Sequence, residues 1–302
     1  MQDAGVPIVE LLRRLVNGRI DVSGHGVLVG LIGRGIQSSR SPVMHEREAV
    51  RLGMRCSYVL IDFDVLALDD DRLADVAAAA GELGFHGLNV THPFKQAVIA
   101  HLDALSPEAV AIGAVNTIVF SGGRATGHNT DSWGFAESFR EDMQGAALGR
   151  VVQFGAGGAG AAVAHALVGL GGGELAIIDS DRARALALAQ RMSAQTGGRV
   201  RAEIDLGRAL AEADGIVNTT PVGMAKYPGL PFPQELLKPR HWVAEVIYFP
   251  AETELLKRAR ALGCRTLSGR GMAIGQAARA FELFTGKTAD RHAMAGHFEA
   301  AA

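Results

Sequence analysis

Short apolar runs alternate along the chain with segments of helical spacing. The runs VLVGLIG (27–33) and CSYVLIDF (56–63) have the length and apolar character of strands. The segment LDDDRLADVAAAAGELG (68–84) has helical periodicity and ends at Gly84, where a C-terminal glycine is expected. Strands that alternate with helices in this way predict an α/β protein with a largely parallel sheet covered by helices.

A second unit of the same kind begins near Asp131. The segment RVVQFGAGGAGAAVAHALVGLG (150–171) is typical of a strand, a glycine turn and a helix, and ELAIIDS (174–180) is typical of the next strand. The tail GMAIGQAARAFELFTG (271–286) repeats its apolar positions at helical steps and predicts a long helix. The second unit therefore also alternates between strands and helices.

A glycine motif opens this second unit. FGAGGAG fits the G-x-G-x-x-G pattern with Gly155, Gly157 and Gly160, and Asp179 ends the following strand. The first glycine makes a tight turn, the second lets a pyrophosphate approach the backbone, and the third lets helix and strand pack closely. The helix N-terminus then attracts the anion. A purely structural turn is the simpler alternative, but the full order of strand, turn, helix, strand and acid favours a dinucleotide site.

Composition narrows the class of protein. The chain has 302 residues, of which 48% are hydrophobic and 21% charged, with a net charge of −2. It has no basic stripe, so we expect no nucleic-acid partner. Cys56 and Cys264 give neither a disulfide framework nor a metal spacing, and no apolar run reaches the roughly 18 residues of a membrane-spanning helix. We therefore expect a cytoplasmic protein that binds no metal and no membrane.

Two serines precede Pro42 in the segment QSSRSP. In an extended chain alternate side chains point the same way, so the hydroxyls of Ser39 and Ser41 would face one site. Pro42 is then expected at the first position of a helix, with Ser41 as its N-cap. Two hydroxyls beside a helix N-terminus can bind a small anion such as a carboxylate.

Further polar residues follow the strand-like runs of the first half. The segment GLNVTHPFKQ carries Asn89, Thr91 and Lys95, while GAVNT and GHNTD carry Asn116 and Asp131. Polar residues after a strand are usually solvated loop, so this density of hydrogen-bonding groups needs an explanation.

Eight motifs occur in the order found in shikimate and quinate dehydrogenases: SSRSPVMHE, NVTHPFK, GAVNT, GHNTD, GAGGAG, NTTPVGM, VIYFP and GMAIGQAARAFELFTG. The chain resembles that family over about residues 27–290. The resemblance implies an N-terminal α/β substrate domain (1–130 plus 269–302) and a Rossmann-type, doubly wound dinucleotide-binding domain (131–268). It also implies interconversion of 3-dehydroshikimate with shikimate, or of dehydroquinate with quinate, using NAD or NADP.

The resemblance implies roles for individual residues as well. The catalytic pair is Lys95 and Asp131. The substrate-binding residues are Ser39, Ser41, Asn89, Thr91, Asn116, Tyr248 and Gln276. The cofactor-binding residues are Gly155, Ala156, Gly157, Gly158, Ala159, Asp179, Ser180, Arg184, Thr220, Pro221, Met224, Val246, Gly269 and Met272. The implied partner is a small molecule, shikimate or quinate, and the protein is expected to be a monomer or a homodimer.

The reaction itself calls for a proton acceptor. Oxidation of a secondary alcohol removes a hydride and a proton, so a base must reach the hydroxyl while the nicotinamide accepts the hydride. A free lysine is a poor base near neutrality, because its pKa is about 10.4. Burial lowers such a pKa and a neighbouring carboxylate raises it. Because the two titrations would be coupled, the sequence leaves open whether Lys95 or Asp131 accepts the proton.

The segment DSDRARA bears on the choice of cofactor. Asp179 can accept hydrogen bonds from the ribose hydroxyls of NAD, and with Asp181 it would repel the 2′-phosphate of NADP. Arg182 and Arg184 could bind such a phosphate, but they are expected to begin a helix and to point to solvent. We therefore expect NAD to be preferred over NADP.

Other interpretations stay open. A paralogue of the family could act on an analogue such as aminoshikimate. A non-catalytic ligand-binding member would not need both Lys95 and Asp131, and a methylene-tetrahydrofolate dehydrogenase would have no obvious use for Ser39 and Ser41. Asp131 could also be a helix N-cap, and Gln276 a buried, hydrogen-bonded amide. The segment VELLRRLVNGRI predicts an amphipathic helix ahead of the resemblance, with no assigned role.

Overall fold

The structure is a computed structural model that describes residues 7–17 and 26–300. Contacts between Cα atoms divide the chain into two compact units. The units are Met1–Thr130 with Ala277–Ala302 (unit 1) and Asp131–Gln276 (unit 2). The sequence analysis assigned residues 269–276 to the substrate domain, whereas this division places them in unit 2.

The N-terminal part of unit 1 alternates between strands and helices. Its described elements are α1 (Ile8–Val16), β1 (Gly26–Gly33), α2 (Ser41–Arg51), β2 (Arg55–Asp62), α3 (Leu73–Glu82), β3 (Gly87–Val90), β4 (Ala104–Leu105), α4 (Pro107–Ile112), β5 (Thr117–Ser121) and β6 (Arg124–His128). Short 3-10 helices lie at Asp70–Arg72 and Ala97–His101.

Unit 2 repeats the alternation. Its elements are α5 (Asp131–Asp142), β7 (Arg150–Phe154), α6 (Gly158–Gly169), β8 (Glu174–Ile178), α7 (Arg182–Thr196), β9 (Val200–Ala202), α8 (Leu206–Glu212), β10 (Gly215–Asn218), β11 (Trp242–Glu245), α9 (Glu254–Ala261) and β12 (Arg265–Leu267). Helix α10 (Gly269–Thr285) runs from unit 2 into unit 1, and α11 (Arg291–Ala300) belongs to unit 1.

The sheet of unit 1 is mixed, with strand order β2-β1-β3-β5-β6-β4. Strand β1 pairs in parallel with β2 and β3, but β5 is antiparallel to both β3 and β6. Three of the five described pairings are parallel, since β4 also pairs in parallel with β6, so this sheet is rich in parallel pairs as expected. The antiparallel pair of β5 and β6 has a local cause, because Gly122 and Gly123 both have positive φ and close a two-residue hairpin.

Helix α1 is part of the core of unit 1. It corresponds to the amphipathic helix predicted over residues 9–20, of which residues 18–20 lie outside the described part of the chain. Ile8, Leu12 and Val16 recur at four-residue steps on its buried face and join the cluster that contains Val76 of α3 and Ile61 of β2. The helix therefore covers an apolar face that unit 1 would otherwise expose.

The sheet of unit 2 has the doubly wound order β12-β11-β10-β7-β8-β9, and all its described pairs are parallel. Its central strands are buried along their length, as expected for a parallel sheet with helices on both faces. In such sheets ligands bind at the carboxyl ends of the strands. No helix within residues 7–17 and 26–300 has the length and hydrophobicity to cross a membrane.

Candidate active site

The serine pair lies in a turn and not in extended chain. Arg40 has φ −89° and ψ −2°, which is helical backbone, and α2 begins at Ser41 with Pro42 as its second residue. The amide of Ser41 donates to the hydroxyl oxygen of Ser39 at 3.3 Å. The predicted extended geometry is therefore wrong, and Ser41 is not the N-cap of α2, because Arg40 takes that position. The serine turn instead places both serines at the helix N-terminus.

A buried carboxylate holds the loop that leads to the serine turn. Asp62, at the end of β2, accepts hydrogen bonds from the amides of Gly35, Ile36 and Asp64 at 2.9–3.1 Å and from the Gln37 side chain at 3.0 Å. Burial raises the pKa of Asp62, but the bonds from Gln37, Ile36, Asp64 and Gly35 outweigh burial and leave this pKa below its ordinary value. Asp62 therefore stays ionised and fixes the loop between β1 and α2.

Thr91 and Lys95 follow β3 at the same edge of the sheet. Thr91 donates its amide to Ile32 of β1 at 2.9 Å, and its side chain fills the space where a Cβ of Gly33 would lie. The carbonyl of Lys95 accepts from the amide of Val115 at 2.7 Å, and the side chain of Lys95 is half-buried. Because β1 and β3 are parallel neighbours, their carboxyl ends bring the serine turn and the Thr91–Lys95 segment to one edge.

A network of buried side chains lies beside this edge. Tyr58 donates to the amide oxygen of Asn89 at 2.9 Å, and the Asn89 nitrogen donates to the Thr117 hydroxyl at 3.1 Å. Asn116 donates to the Thr130 hydroxyl at 2.9 Å and accepts from the Thr130 amide at 2.8 Å. Sequence analysis missed Tyr58, Thr117 and Thr130, because their partners are far away in the chain and each residue alone is typical of a strand or loop.

Asp131 is the first residue of α5 and is buried, with 4% of its surface exposed. A carboxylate at a helix N-terminus is stabilised by the helix dipole. One turn further on, a Cβ at Gly134 would lie 2.7 Å from both the Gln276 amide nitrogen and the Met272 carbonyl oxygen of α10. This close contact of α5 with α10 brings Asp131, Met272 and Gln276 into one neighbourhood of unit 2.

Helix α10 carries two of the predicted site residues, Gln276 and Met272. The Gln276 side chain is half-buried and donates to the carbonyl of Ala273 at 3.0 Å. Met272 is buried, with 7% of its surface exposed. Each side chain thus contributes to packing or to local hydrogen bonding in unit 2, whatever it does toward a ligand.

The glycine loop connects β7 to α6 as its motif predicts. Gly155 has φ +100°, which a residue with a side chain rarely adopts, and a Cβ at Gly160 would collide with the Gly155 carbonyl. Among the described residues, no heavy atom lies within 4 Å of the position that a Cβ of Gly157 would take, apart from those of its chain neighbours and its own helix backbone. The backbone of Gly157, Gly158 and Ala159 at the start of α6 therefore forms a cradle that suits the pyrophosphate of a dinucleotide.

Asp179 follows β8 and contacts the glycine loop. Its carboxylate accepts from the Ala156 amide at 2.7 Å and from the Asp181 amide at 2.8 Å. Asp181 caps α7 and lies 3.2 Å from the exposed Arg184 guanidinium. Ser180, also exposed, lies next to Asp179. The residues predicted to lie near the adenosine ribose of the cofactor are thus close to one another. They include two carboxylates and one arginine that is paired with Asp181.

The loops after β10 and β11 are joined by buried polar side chains. Asn218 accepts from the Thr220 hydroxyl at 2.7 Å and donates to Glu245 at 3.1 Å. Glu245 also accepts from the amides of Val246 and Ile247 at 3.0 and 3.2 Å. Burial raises the pKa of Glu245 to about 7, although these hydrogen bonds lower it. The two loops therefore depend on one carboxylate, which sequence analysis did not single out.

The remaining predicted residues lie on the same loops. A Cβ at Gly269, the first residue of α10, would collide with the Val246 carbonyl, so these two residues are adjacent. Met224 and Pro221 are exposed, and Tyr248 is half-buried. All of them follow the carboxyl ends of β10, β11 and β12, where a doubly wound sheet binds its ligand. Within the described residues, no group of three or more potential metal ligands occurs.

Two family models match the chain. The shikimate dehydrogenase substrate binding domain matches residues 31–118, and the shikimate 5'-dehydrogenase C-terminal domain matches residues 269–296. A shikimate dehydrogenase (NADP(+)) of Streptomyces avermitilis is 57% identical over 266 residues, which are 87% of this chain and 91% of the relative. The chain belongs to the shikimate dehydrogenase family.

Members of the family that resemble the chain differ in the cofactor that their names state. A quinate/shikimate dehydrogenase (NAD(+)) of Corynebacterium efficiens is 48% identical over 276 residues, 90% of this chain and 97% of the relative. The structure of a quinate dehydrogenase from Corynebacterium glutamicum in complex with NAD matches with a TM-score of 0.84 and 46% identity, over 91% of this chain and 99% of that one. The predicted family and the predicted two-part α/β fold class are confirmed.

Proposed function

We propose that this protein is a dehydrogenase that interconverts shikimate and 3-dehydroshikimate, or quinate and 3-dehydroquinate, with NAD in preference to NADP. The observation that carries the proposal is the set of polar side chains at one edge of the first sheet. The serine turn follows β1, and the Thr91–Lys95 segment follows the parallel neighbour β3. Such a set suits a small ring acid that carries a carboxylate and several hydroxyls.

The serine turn is assigned to the substrate carboxylate. The hydroxyls of Ser39 and Ser41 lie at the N-terminus of an eleven-residue helix, α2, whose dipole favours a negative charge. Thr91 and Asn116 are assigned to substrate hydroxyls. Asn89 already accepts from Tyr58 and donates to Thr117, so its role in this proposal is to support the neighbouring strand as well as to face the ligand.

Lys95 and Asp131 are assigned to the proton that leaves the substrate hydroxyl. Both side chains can exchange a proton with a hydroxyl group: Lys95 is half-buried after β3 in unit 1, and Asp131 is buried at the start of α5 in unit 2. The nicotinamide, when bound, supplies the hydride acceptor. The glycine loop and the loops after β10 and β11 are assigned to holding that cofactor.

The preference for NAD is proposed from charge at the ribose end. The carboxylate of Asp179 can accept from ribose hydroxyls, and together with Asp181 it opposes the 2′-phosphate of NADP. Arg184 is exposed and lies 3.2 Å from Asp181, so these two charges partly offset each other and Asp179 is the main source of the proposed preference. Because relatives with either cofactor in their names resemble the chain, these side chains are the basis of the proposal.

A kinetic grid tests the proposal, with shikimate and quinate each measured against NAD and NADP. We expect turnover with shikimate or quinate and a kcat/KM for NAD at least about tenfold above that for NADP, equivalent to about 1.4 kcal/mol. Asp179→Asn removes the charge but keeps an acceptor for the Ala156 amide. It should therefore lower the ratio of kcat/KM for NAD to kcat/KM for NADP. Equal use of both cofactors, or a preference for NADP, would contradict the cofactor proposal.

A further inference from the structure

Gln153 is a buried amide that neither the motif nor the proposed chemistry explains. It lies on β7, is fully buried, and points its amide nitrogen at the carbonyls of Gly155 and Gly160, both at 2.9 Å. Two carbonyl oxygens can only face the nitrogen end of an amide, so the orientation of the group is fixed by its partners. The Gln153 side chain therefore bridges the two ends of the glycine loop.

The other end of the same amide has no partner. The Gln153 Oε1 atom is among the buried side-chain atoms of the described residues that make no hydrogen bond. A buried acceptor without a donor costs free energy and offsets part of what the two hydrogen bonds of the same amide contribute. A buried polar atom without a partner in a native structure needs an explanation, and a functional role of the side chain is one.

Gln153 acts on a peptide that Asp179 also holds. The carbonyl of Gly155 accepts from Gln153 and from the Thr219 hydroxyl at 3.0 Å, while the amide of Ala156, in the same peptide, donates to Asp179 at 2.7 Å. In a trans peptide the N–H and the C=O point in opposite directions. The peptide is therefore held by hydrogen bonds on both sides. The orientation of its carbonyl determines where the Asp179 carboxylate can lie.

We propose that Gln153 is a positioning residue for the cofactor: it orients the Gly155–Ala156 peptide and thereby aligns the pyrophosphate cradle with Asp179. The inference rests on the proposed use of a dinucleotide. Thr219 is its partner in this role, since its hydroxyl, which has one proton, lies 2.7 Å from the Phe154 carbonyl and 3.0 Å from the same Gly155 carbonyl. Neither side chain needs to touch the cofactor.

The test is Gln153→Met, which keeps the volume of the side chain and removes the amide. Binding of NAD and of NADP to the full-length protein is measured by calorimetry, and stability by urea unfolding. Both tryptophans of the chain, Trp133 and Trp242, lie in unit 2, so tryptophan fluorescence reports the unit that carries the change. Leu188→Met, another buried change in unit 2, is the matched control.

The expected result separates positioning from packing, because positioning changes cofactor affinity whereas packing changes stability. Gln153→Met should raise the Kd of whichever cofactor the unaltered protein binds more tightly by about tenfold, with little change in the urea midpoint, because the loss of two hydrogen bonds is offset by the loss of the unpartnered oxygen. The KM for shikimate should stay within about twofold, since unit 1 is unaltered. Leu188→Met should leave the Kd unchanged.

Thr219→Val provides a second variant that keeps the side-chain shape. It should also weaken cofactor binding, and the double variant should deviate from additivity because both side chains act on one carbonyl. A folded Gln153→Met protein with unaltered cofactor affinity would overturn the inference, as would an affinity that falls only in step with stability. If the unaltered protein binds neither NAD nor NADP, the proposed function itself has failed, which is a different result.

Discussion

The Asp62 carboxylate gives the sharpest test of how the serine turn is held. It accepts four hydrogen bonds, from the amides of Gly35, Ile36 and Asp64 and from the Gln37 side chain. Asp62→Asn keeps one acceptor oxygen and turns a nitrogen toward two of these donors. Only Ile36 among the four donor residues is buried, so one buried donor left without an acceptor costs about 1–3 kcal/mol, and the loss of charge on the remaining bonds adds about 1 kcal/mol. We expect unit 1 to lose about 2–4 kcal/mol of stability.

The same change should weaken substrate binding. The amide of Ser39 donates to the Ile36 carbonyl at 2.9 Å, so a shift of the loop moves the serine turn. We expect the KM for shikimate to rise by about tenfold with a smaller change in kcat, because the proposed contact of the serines with the substrate carboxylate would be made in both the ground and the transition state. Asp71→Asn, which removes an equal charge from an exposed position, is the control. An Asp62→Asn protein with unaltered KM and unaltered stability would refute the reasoning.

Low pH should remove the contribution that the ionised Asp62 makes to the stability of the folded protein. Its pKa is lowered in the folded protein from an ordinary value of 3.8, so its contribution is present above that value and is lost as the pH falls through the folded pKa. Urea unfolding followed by circular dichroism should show a constant gap between the unaltered protein and Asp62→Asn from pH 7 down to about pH 4. The gap should close only below that range. If the difference in stability between the two proteins disappeared near neutral pH, the hydrogen bonds would not be keeping the carboxylate ionised.

The remaining predictions concern the serine turn and Glu245. Replacement of Ser39 and Ser41 by alanine should raise the KM for shikimate more than it lowers kcat, by about 1.5–3 kcal/mol for each hydroxyl, and an unchanged KM in the double variant would remove the carboxylate assignment. Glu245 has a folded pKa of about 7 against an ordinary 4.5, so its contribution is full below 4.5 and is lost as the pH rises through 7. Relative to Glu245→Gln, the unaltered protein should thus lose about 3 kcal/mol of stability between pH 4.5 and pH 8, measured by tryptophan fluorescence in urea. A pH-independent difference between the two proteins would mean that burial does not raise this pKa.

Local sequence patterns predicted the elements whose signals lie within one segment. The glycine loop is such a case, because Gly155, Gly160 and the acid Asp179 are fixed by strand and helix lengths that periodicity reveals. The hairpin between β5 and β6 could also have been predicted from the sequence. Its Gly122–Gly123 pair, which closely follows an apolar strand-like run, is a known hairpin signal.

Other features depend on contacts that no local pattern contains. The extended reading of Ser39 and Ser41 failed because Asp62, which follows a different strand, holds the preceding loop in a turn. Tyr58 is similar, since its hydroxyl finds Asn89 across the sheet and its position alone is typical of any buried strand. Long-range pairing of this kind becomes visible only when the strand order is known.

Alcohol oxidation with Lys95 at the reacting hydroxyl is the central proposal for this protein, and one measurement tests it most directly. Initial rates of reduced-nicotinamide formation are followed by absorbance for the unaltered protein and for Lys95→Ala, with shikimate and NAD at saturation. The unaltered protein should reduce NAD, and Lys95→Ala should do so more slowly by a factor on the order of 10²–10⁴, with cofactor affinity unchanged. No reduction of NAD or NADP with either shikimate or quinate, or an unaltered rate in Lys95→Ala, would contradict the account.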